Sequence, residues 1–292
     1  MNAHLYPNFG AEEGDLPPST AMPAPVVRLE RLWARLFDDG GAFCDAAGLV
    51  PWLSTPRAQA EATRRALPLW GPAPDVVRTV HDKAFAVASD PHVVVFGPGT
   101  LTEDTFGAAL KRLPLWAHDN WTLKPRFSTS GRGRTGSSSP GLAGALRRLH
   151  DRGAVLEPWF ARVLDLSAQW RVDHEGLTLL GTTEQVVTPS GGYRGCIFSK
   201  KEGETPSADS PWDAAVVKSS AALVKRAAAV GFVGPCGVDA FVWRAPDGSE
   251  HLRICEFNAR FTAGMVAVCL APRQPHGQVR FTLEDDEPFH PR

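Results

Sequence analysis

The first 25 residues show no apolar periodicity, and Pro17, Pro18, Pro23 and Pro25 interrupt any stripe that could be buried, so this stretch is expected to stay unordered. From 26 to 70 apolar residues recur every three or four positions, as at Leu29, Leu32 and Leu36 and again through 58–67, which predicts a short helical lobe without strands. Pro72 and Pro74 break it, and a helical pattern resumes over 76–87. The pattern then changes character. A β-rich run at 92–96 ends in Gly97-Pro98-Gly99, and a helix over 103–113 starts from Thr102 as its cap. A strand at 121–124 runs into a glycine- and serine-rich stretch at 128–139, followed by a helix over 140–150 closed by Gly153. Strands at 163–172 and 177–180 turn on His174-Glu175-Gly176. A long helix over 213–230 stops at Gly231, and strands at 238–243 and 252–257 are joined by Pro246-Asp247-Gly248. Strands and helices interleaved in this way predict an α+β chain with a mixed sheet, and no internal repeat is present.

Length and composition narrow the class. At 292 residues, with 43% hydrophobic and 22% charged residues, the chain can bury cores for two or three small lobes without staples. A formal net charge of -1 and the lack of a basic stripe argue against a nucleic-acid partner. Its five cysteines are scattered without C-x-x-C spacing, so neither a disulfide framework nor a zinc site is signalled, and a reducing, cytoplasmic setting is expected. No apolar run reaches the roughly 18 residues a membrane helix requires, and residues 1–25 do not read as a secretory signal. Nothing in the pattern fixes the oligomeric state.

Two constellations carry chemistry. Lys124 ends a strand and is followed by Pro125-Arg126 and then by the small-residue loop Ser128-Thr129-Ser130-Gly131-Arg132-Gly133-Arg134-Thr135-Gly136. One fixed cation beside backbone N–H groups unobstructed by side-chain bulk is what a polyphosphate clamp needs, although neither the P-loop nor the Rossmann spacing is present. A solvated loop kept soluble by Arg132 and Arg134 is the plainer alternative. The second constellation is Asp239 on one strand and Glu256-Phe257-Asn258-Ala259-Arg260 on the next. Alternation puts Glu256 and Asn258 on one face, and Asp239 can lie across from them, so three hard oxygen ligands converge as Mg²⁺ prefers. Arg260 follows in the same parity and can hold a transferring phosphoryl group or a carboxylate. Taken alone, such a strand reads more readily as a polar outer face with cross-strand charge pairs than as a metal site.

The order of these parts is more specific than any one of them. The lysine of His81-Asp82-Lys83, the Lys124 strand with its glycine-rich loop, Glu157-Pro158-Trp159-Phe160, an acid on the penultimate strand and E-x-N-x-R on the last together resemble the ATP-grasp superfamily over residues 76–265. That resemblance implies two α+β subdomains clasping ATP, placed at 76–158 and 159–270, after an unordered 1–25 and a helical lobe at 26–75 and before a tail at 271–292. It implies that Lys83 and Lys124 reach the phosphates, and that Ser130, Gly131 and Gly133 belong to a loop folding over them. Glu157, Trp159 and Phe160 would form the linker whose backbone meets the adenine edge, and Asp165 would take a ribose hydroxyl. Mg²⁺, or Mn²⁺, would sit among Asp239, Glu256 and Asn258, with Arg260 and Lys124 serving the phosphoryl transfer. The implied activity is ligation of a small-molecule carboxylate to an amine through an acyl phosphate, with ADP and phosphate released. A small-molecule kinase and a non-catalytic ATP-binding regulator use the same parts and stay open. Arg132 and Arg134 add cations where many relatives have small residues, and Asp239 stands where glutamate is more frequent.

Other features are read as structural. The nine histidines lack metal-ligand spacing, and only His81 beside Lys83 draws notice. The nine tryptophans lie beside apolar neighbours and are expected in cores. Residues 189–195 look like a second phosphate loop but read better as a hairpin lip. No serine or cysteine has the context of a covalent nucleophile.

Overall fold

The computed structural model describes residues 3–11, 23–128, 132–188, 192–274 and 276–291. In chain order the elements are β1 (Ala3–Tyr6), α1 (Ala24–Ala34), β2 (Gly48–Pro51), α2 (Pro56–Arg64), α3 (Pro74–Val80), α4 (Lys83–Ala86), β3 (Val94–Phe96), α5 (Glu103–Leu110), β4 (Trp121–Pro125), β5 (Thr135–Gly136), α6 (Leu142–His150) and β6 (Ala154–Pro158). The second half holds β7 (Arg162–Asp173), β8 (Gly176–Val187), β9 (Tyr193–Lys200), α7 (Asp213–Ala229), β10 (Gly234–Arg244), β11 (Glu250–Asn258), α8 (Ala263–Leu270), β12 (Gly277–Thr282) and β13 (Phe289–Pro291). They form a four-stranded sheet in the order β3-β6-β4-β5, a seven-stranded sheet in the order β11-β10-β7-β8-β9-β12-β13, and the pair β1-β2. Both larger sheets are antiparallel throughout.

The small sheet is backed by α5 and α6, and each helix has a local reason to start. Thr102 caps α5 by accepting from the Thr105 N–H at 3.2 Å, while the Thr105 hydroxyl accepts from the Thr102 N–H at 2.8 Å. In α6, Ala145, Leu146 and Leu149 face inward and Arg147 and Arg148 outward, which is the amphipathic stripe the sequence predicts. Gly153 ends that turn at φ +71°, where a Cβ would meet the Phe96 carbonyl at 2.7 Å. Phe106, Trp121, Leu123, Leu149 and Leu156 make this lobe's own core.

On the large sheet, α7 buries Val216, Ser220, Leu223, Val224 and Ala227 in one stripe. The Ser220 hydroxyl accepts from the Trp170 indole N–H at 3.1 Å, so α7 covers the face of β7 that carries Leu166, Ala168 and Trp170. The other face carries Ser167 and Gln169, both buried, and α8 packs against part of it.

Several expectations change here. Residues 3–6 are a strand, paired in parallel with β2, so neither an unordered first 25 residues nor a strandless helical lobe describes the chain. Trp33, Leu36 and Phe43 share one core with Val238, Phe257 and Phe261, so the N-terminal elements pack onto the large sheet and have no separate core of their own. Within 271–292, β12 and β13 extend the large sheet, which a tail would not do. The pattern over 76–87 is two short helices, broken at His81-Asp82, where the Asp82 carboxylate accepts from the Ala84 N–H at 2.9 Å and starts α4.

Candidate functional site

The face of the large sheet that carries Ser167 also carries Asp239 and Glu256. Register sets Asp239 opposite Ser167 on β7 and opposite Glu256 on β11, with Gly237 opposite Asn258. The β10–β11 ladder shifts between Asp239 and Ala240, leaving Cys255 as the extra residue of a bulge. Asp239 accepts from the Ser167 hydroxyl at 2.7 Å, the Gln185 side-chain amide at 2.9 Å and the Asn258 side-chain amide at 2.8 Å. Behind it, Gln169 donates to Ser167 at 2.7 Å and accepts from the Thr262 hydroxyl at 2.6 Å. Thr262 also caps α8 by accepting from the Met265 N–H at 2.9 Å, so the network is anchored to a helix start.

The two facing carboxylates are shifted in opposite directions. Burial, with the charge of Glu256 adding to it, pushes Asp239 up to about 6, against the pull of hydrogen bonds from Ser167 and Asn258 and the charge of Arg260. Burial acts on Glu256 in the same direction, but the nearby Lys83, His81 and Arg260 outweigh it and hold its carboxyl below the usual range. The Lys83 ammonium lies 3.0 Å from Glu256 and donates to the Ser128 carbonyl at 2.7 Å. Its position is fixed through the backbone, since the Lys83 N–H donates to the Arg126 carbonyl at 3.1 Å and the Arg126 guanidinium pairs with Asp82.

A second hub joins the two sheets. Lys124 on β4 pairs with Glu157 on β6, and the other Glu157 oxygen accepts from Arg253 of β11 at 2.9 Å. Arg253 also pairs with Asp90 and lies 4.4 Å over the Phe160 ring. Burial would raise Glu157, but Lys124 and Arg253 together lower it to about 2. Arg253 and Gln185 escape the sequence reading; the available signal for Arg253 is its position three residues before Glu256, between the apolar Leu252 and Ile254, and a single strand gives no hint of its partner on β6.

The predicted residues thus divide. Asp239, Glu256, Asn258, Lys83 and the charge of Arg260 come together. Lys124 and Glu157, expected to serve the phosphates and the adenine separately, are one ion pair. Asp165, expected to take a ribose hydroxyl, pairs with Arg162 at 2.7 Å, and the Arg162 guanidinium lies 4.1 Å over the Phe241 ring. Trp159 is stacked under Arg134 at 4.5 Å, and its own N–H and C=O are taken by Asn120 at 2.8 and 3.0 Å. Of the linker, Phe160 is the residue whose backbone N–H has no acceptor among the described residues. Gly133 sits at φ +72° with Pro125 at 3.2 Å from a Cβ, so glycine is needed there, while Ser130 and Gly131 lie outside the described residues. Burial pushes the Cys255 thiol up to about 12, which keeps it protonated and suits no nucleophilic role.

Arg260 is positioned by the residue after it. Phe261 is buried against five rings of the N-terminal elements, Trp33, Phe37, Phe43, Trp52 and Trp70, at centroid distances of 5.4, 5.7, 5.1, 6.0 and 6.0 Å. Its N–H donates to the Trp52 carbonyl at 3.3 Å. The tryptophans expected in cores therefore include the packing that supports the end of the site strand.

Comparison with known proteins defines the fold. The chain resembles carboxyaminoimidazole ribonucleotide synthase from Aspergillus clavatus complexed with ATP, with a TM-score of 0.52 at 18% identity over 73% of this chain and 53% of that one. It also resembles the biotin carboxylase domain of the 2-oxoglutarate carboxylase of Hydrogenobacter thermophilus, in complex with MgADP, ADP and bicarbonate, with a TM-score of 0.54 at 15% identity over 87% of this chain and 58% of that one. The architecture is the ATP-grasp fold, α+β with antiparallel sheets. No family model matches the chain. In sequence, it is 27% identical over 108 residues to the [butirosin acyl-carrier protein]–L-glutamate ligase of Niallia circulans, a match covering 37% of this chain and 24% of the relative. The chain thus spans about a quarter of that relative's length and about half of each solved structure. No helix among the described residues is long and apolar enough to cross a membrane.

Proposed function

We propose that this chain is an ATP- and Mg²⁺-dependent ligase that activates a carboxylate as an acyl phosphate for attack by an amine. The observation that carries the reading is the facing pair Asp239 and Glu256, two half-buried carboxylates with Asn258 beside them and a buried lysine 3.0 Å from Glu256, set on one sheet face of the ATP-grasp fold. Two adjacent carboxylates, one pushed up to about 6 partly by the other, fit a divalent cation that would relieve their repulsion. Asn258 gives its amide hydrogen to Asp239, which leaves its carbonyl oxygen as a third hard donor. Among the described residues no three His, Cys, Asp or Glu side chains gather, so the set is two carboxylates and an amide, which suits Mg²⁺ better than zinc. Bound there, Mg²⁺ would supply charge to the phosphate oxygens.

The chain's own groups then have separate tasks. Lys83 and Lys124 neutralise phosphate charge, and Arg260 holds the phosphoryl group in transfer. The substrate carboxylate oxygen attacks the γ-phosphorus, the bond to the β-phosphate oxygen breaks, and ADP leaves. The amine nitrogen then attacks the acyl carbon, the bond to phosphate breaks, and the amine gives up a proton. The ligase name of the sequence relative supports this outcome over phosphate transfer to a hydroxyl.

Hydroxylamine added during turnover tests it, since a hydroxamate forms only from an activated acyl group. ADP release without hydroxamate would assign a small-molecule kinase, and MgATP binding without ADP release a regulatory protein. Glu256→Gln is expected to lower turnover by about 100-fold or more while ATP still binds. Undiminished turnover in that variant would remove the metal assignment.

A further inference from the structure

The β7–β8 ladder runs from Asp173↔Gly176 to Leu166↔Glu184 and stops there, although both strands continue. Beyond that pair β7 stays with β10 as far as Arg162, and β8 stays with β9 as far as Val187. The two strands therefore diverge inside the sheet and open a cavity of about 400 Å³, walled by residues 162–165 on one side and 184–187 on the other, with Ile197 and Arg280 completing it. That volume lies within the roughly 300–1,000 Å³ of small-molecule sites. In an antiparallel strand successive residues turn their N–H and C=O groups to opposite neighbours. Every second residue of each wall thus aims its backbone groups into the gap, and no backbone hydrogen bond among the described residues crosses it.

Two facing strand edges with unused ladder groups accept an extended chain with its own amides better than any other ligand chemistry. The cavity also leads to the site, because Gln185 lines it and donates to Asp239 at 2.9 Å. Charges of both signs surround it, Arg162 and Arg280 against Asp165 and Glu184, as the ends of a peptide require. We propose that this gap seats a short extended peptide by backbone pairing with β7 and β8, so that the acid activated at Asp239 and Glu256 is the carboxyl end of a peptide or of a similar amide-bearing chain. The substrate class rests on the ligase reading given above; the peptide seat does not.

Hydrogen exchange on the intact wild-type chain separates the two. The probe is a mixed pool of tripeptides with free carboxyl ends, which share one backbone and act together as one ligand, with the same pool N-methylated at the central amide as its counterpart. The unmodified pool alone, without nucleotide, is expected to slow exchange at residues 162–165 and 185–187 by about tenfold, and the N-methylated pool to lose that effect. No slowing, or equal slowing by both pools, overturns the seat. MgATP in a parallel sample is read at Lys83 and Glu256. Protection there with no peptide effect would leave the ligase reading and remove the seat, and the reverse would leave a peptide-binding protein without the ATP reading. Where both bind, hydroxamate yield that rises with the unmodified pool and not with free amino acids completes the assignment, and equal yields would remove peptides as the acid.

Discussion

Glu157 is a buried carboxylate and Asp239 a half-buried one, both on strands at the site, yet their surroundings oppose each other. Glu157 has a cation on each oxygen, Lys124 from its own sheet and Arg253 from the other, and is lowered to about 2. Asp239 accepts from the neutral Ser167, Gln185 and Asn258, faces a second carboxylate across the ladder, and is raised to about 6 against the charge of Arg260. The first environment pairs its anion with two cations and ties two sheets together. The second sets two carboxylates side by side, whose repulsion a bound cation would relieve. Burial acts on both acids in the same direction; what differs is the identity of the partners, two cations against neutral donors and a second carboxylate.

The largest effect that would break this contrast is on Glu157. Glu157→Gln leaves Lys124 and Arg253 without their shared anion, and a loss of about 3–5 kcal/mol is expected, read as a fall in Tm on the order of 10 °C. Its carboxyl is depressed below the ordinary 4.5, so the stability it contributes is present above that value and lost as pH falls toward 2. A wild-type Tm flat through that window would contradict the hub.

Asp239 should behave with the opposite sign. Its carboxyl is raised from 3.8 to about 6, so the folded protein holds the proton more tightly, and the group's contribution is lost as pH rises through 6. Asp239→Asn is therefore expected to stabilise the metal-free protein at pH 8 by on the order of 2 kcal/mol, with the gain vanishing below pH 4. Added Mg²⁺ should raise the Tm of the wild type and leave the variant unmoved. A variant less stable than the wild type at pH 8 would show that Asp239 is satisfied as it stands.

Lys124 belongs to both environments, and its substitution sharpens where one ends. Lys124→Ala is expected to raise the Kd for ATP by about tenfold in a nucleotide titration while Arg253 retains Glu157. An unchanged Kd, with stability lowered, would assign Lys124 wholly to the hub.

Much of the chain beyond α4 was legible because its signals are local. The stripe of α7, the Thr102 cap, the His174-Glu175-Gly176 turn and the E-x-N-x-R strand each show their pattern within a few residues. What escaped depends on distant partners. Ala3–Tyr6 is short and half-buried, and only β2, more than 40 residues on, makes it a strand. β12 and β13 owe their pairing to β9, which itself follows a glycine-rich stretch that obscures its start. In the site, alternation placed Glu256 and Asn258 on one face, but the bulge at Cys255 sets how Asp239 meets them, and a bulge has no signature in a single strand. The Arg162–Asp165 pair was missed because residue spacing gives no hint that a guanidinium would lie on the Phe241 ring.

The rings around Phe261 set a limit on how this chain can be shortened. A fragment starting at α3 would keep Lys83, Lys124, Asp239, Glu256 and Asn258. It would also lay open the aromatic face that Trp33, Phe43, Trp52 and Trp70 now shield, leaving a sticky patch beside Arg260. Such a truncate should precipitate or self-associate before its turnover could be measured.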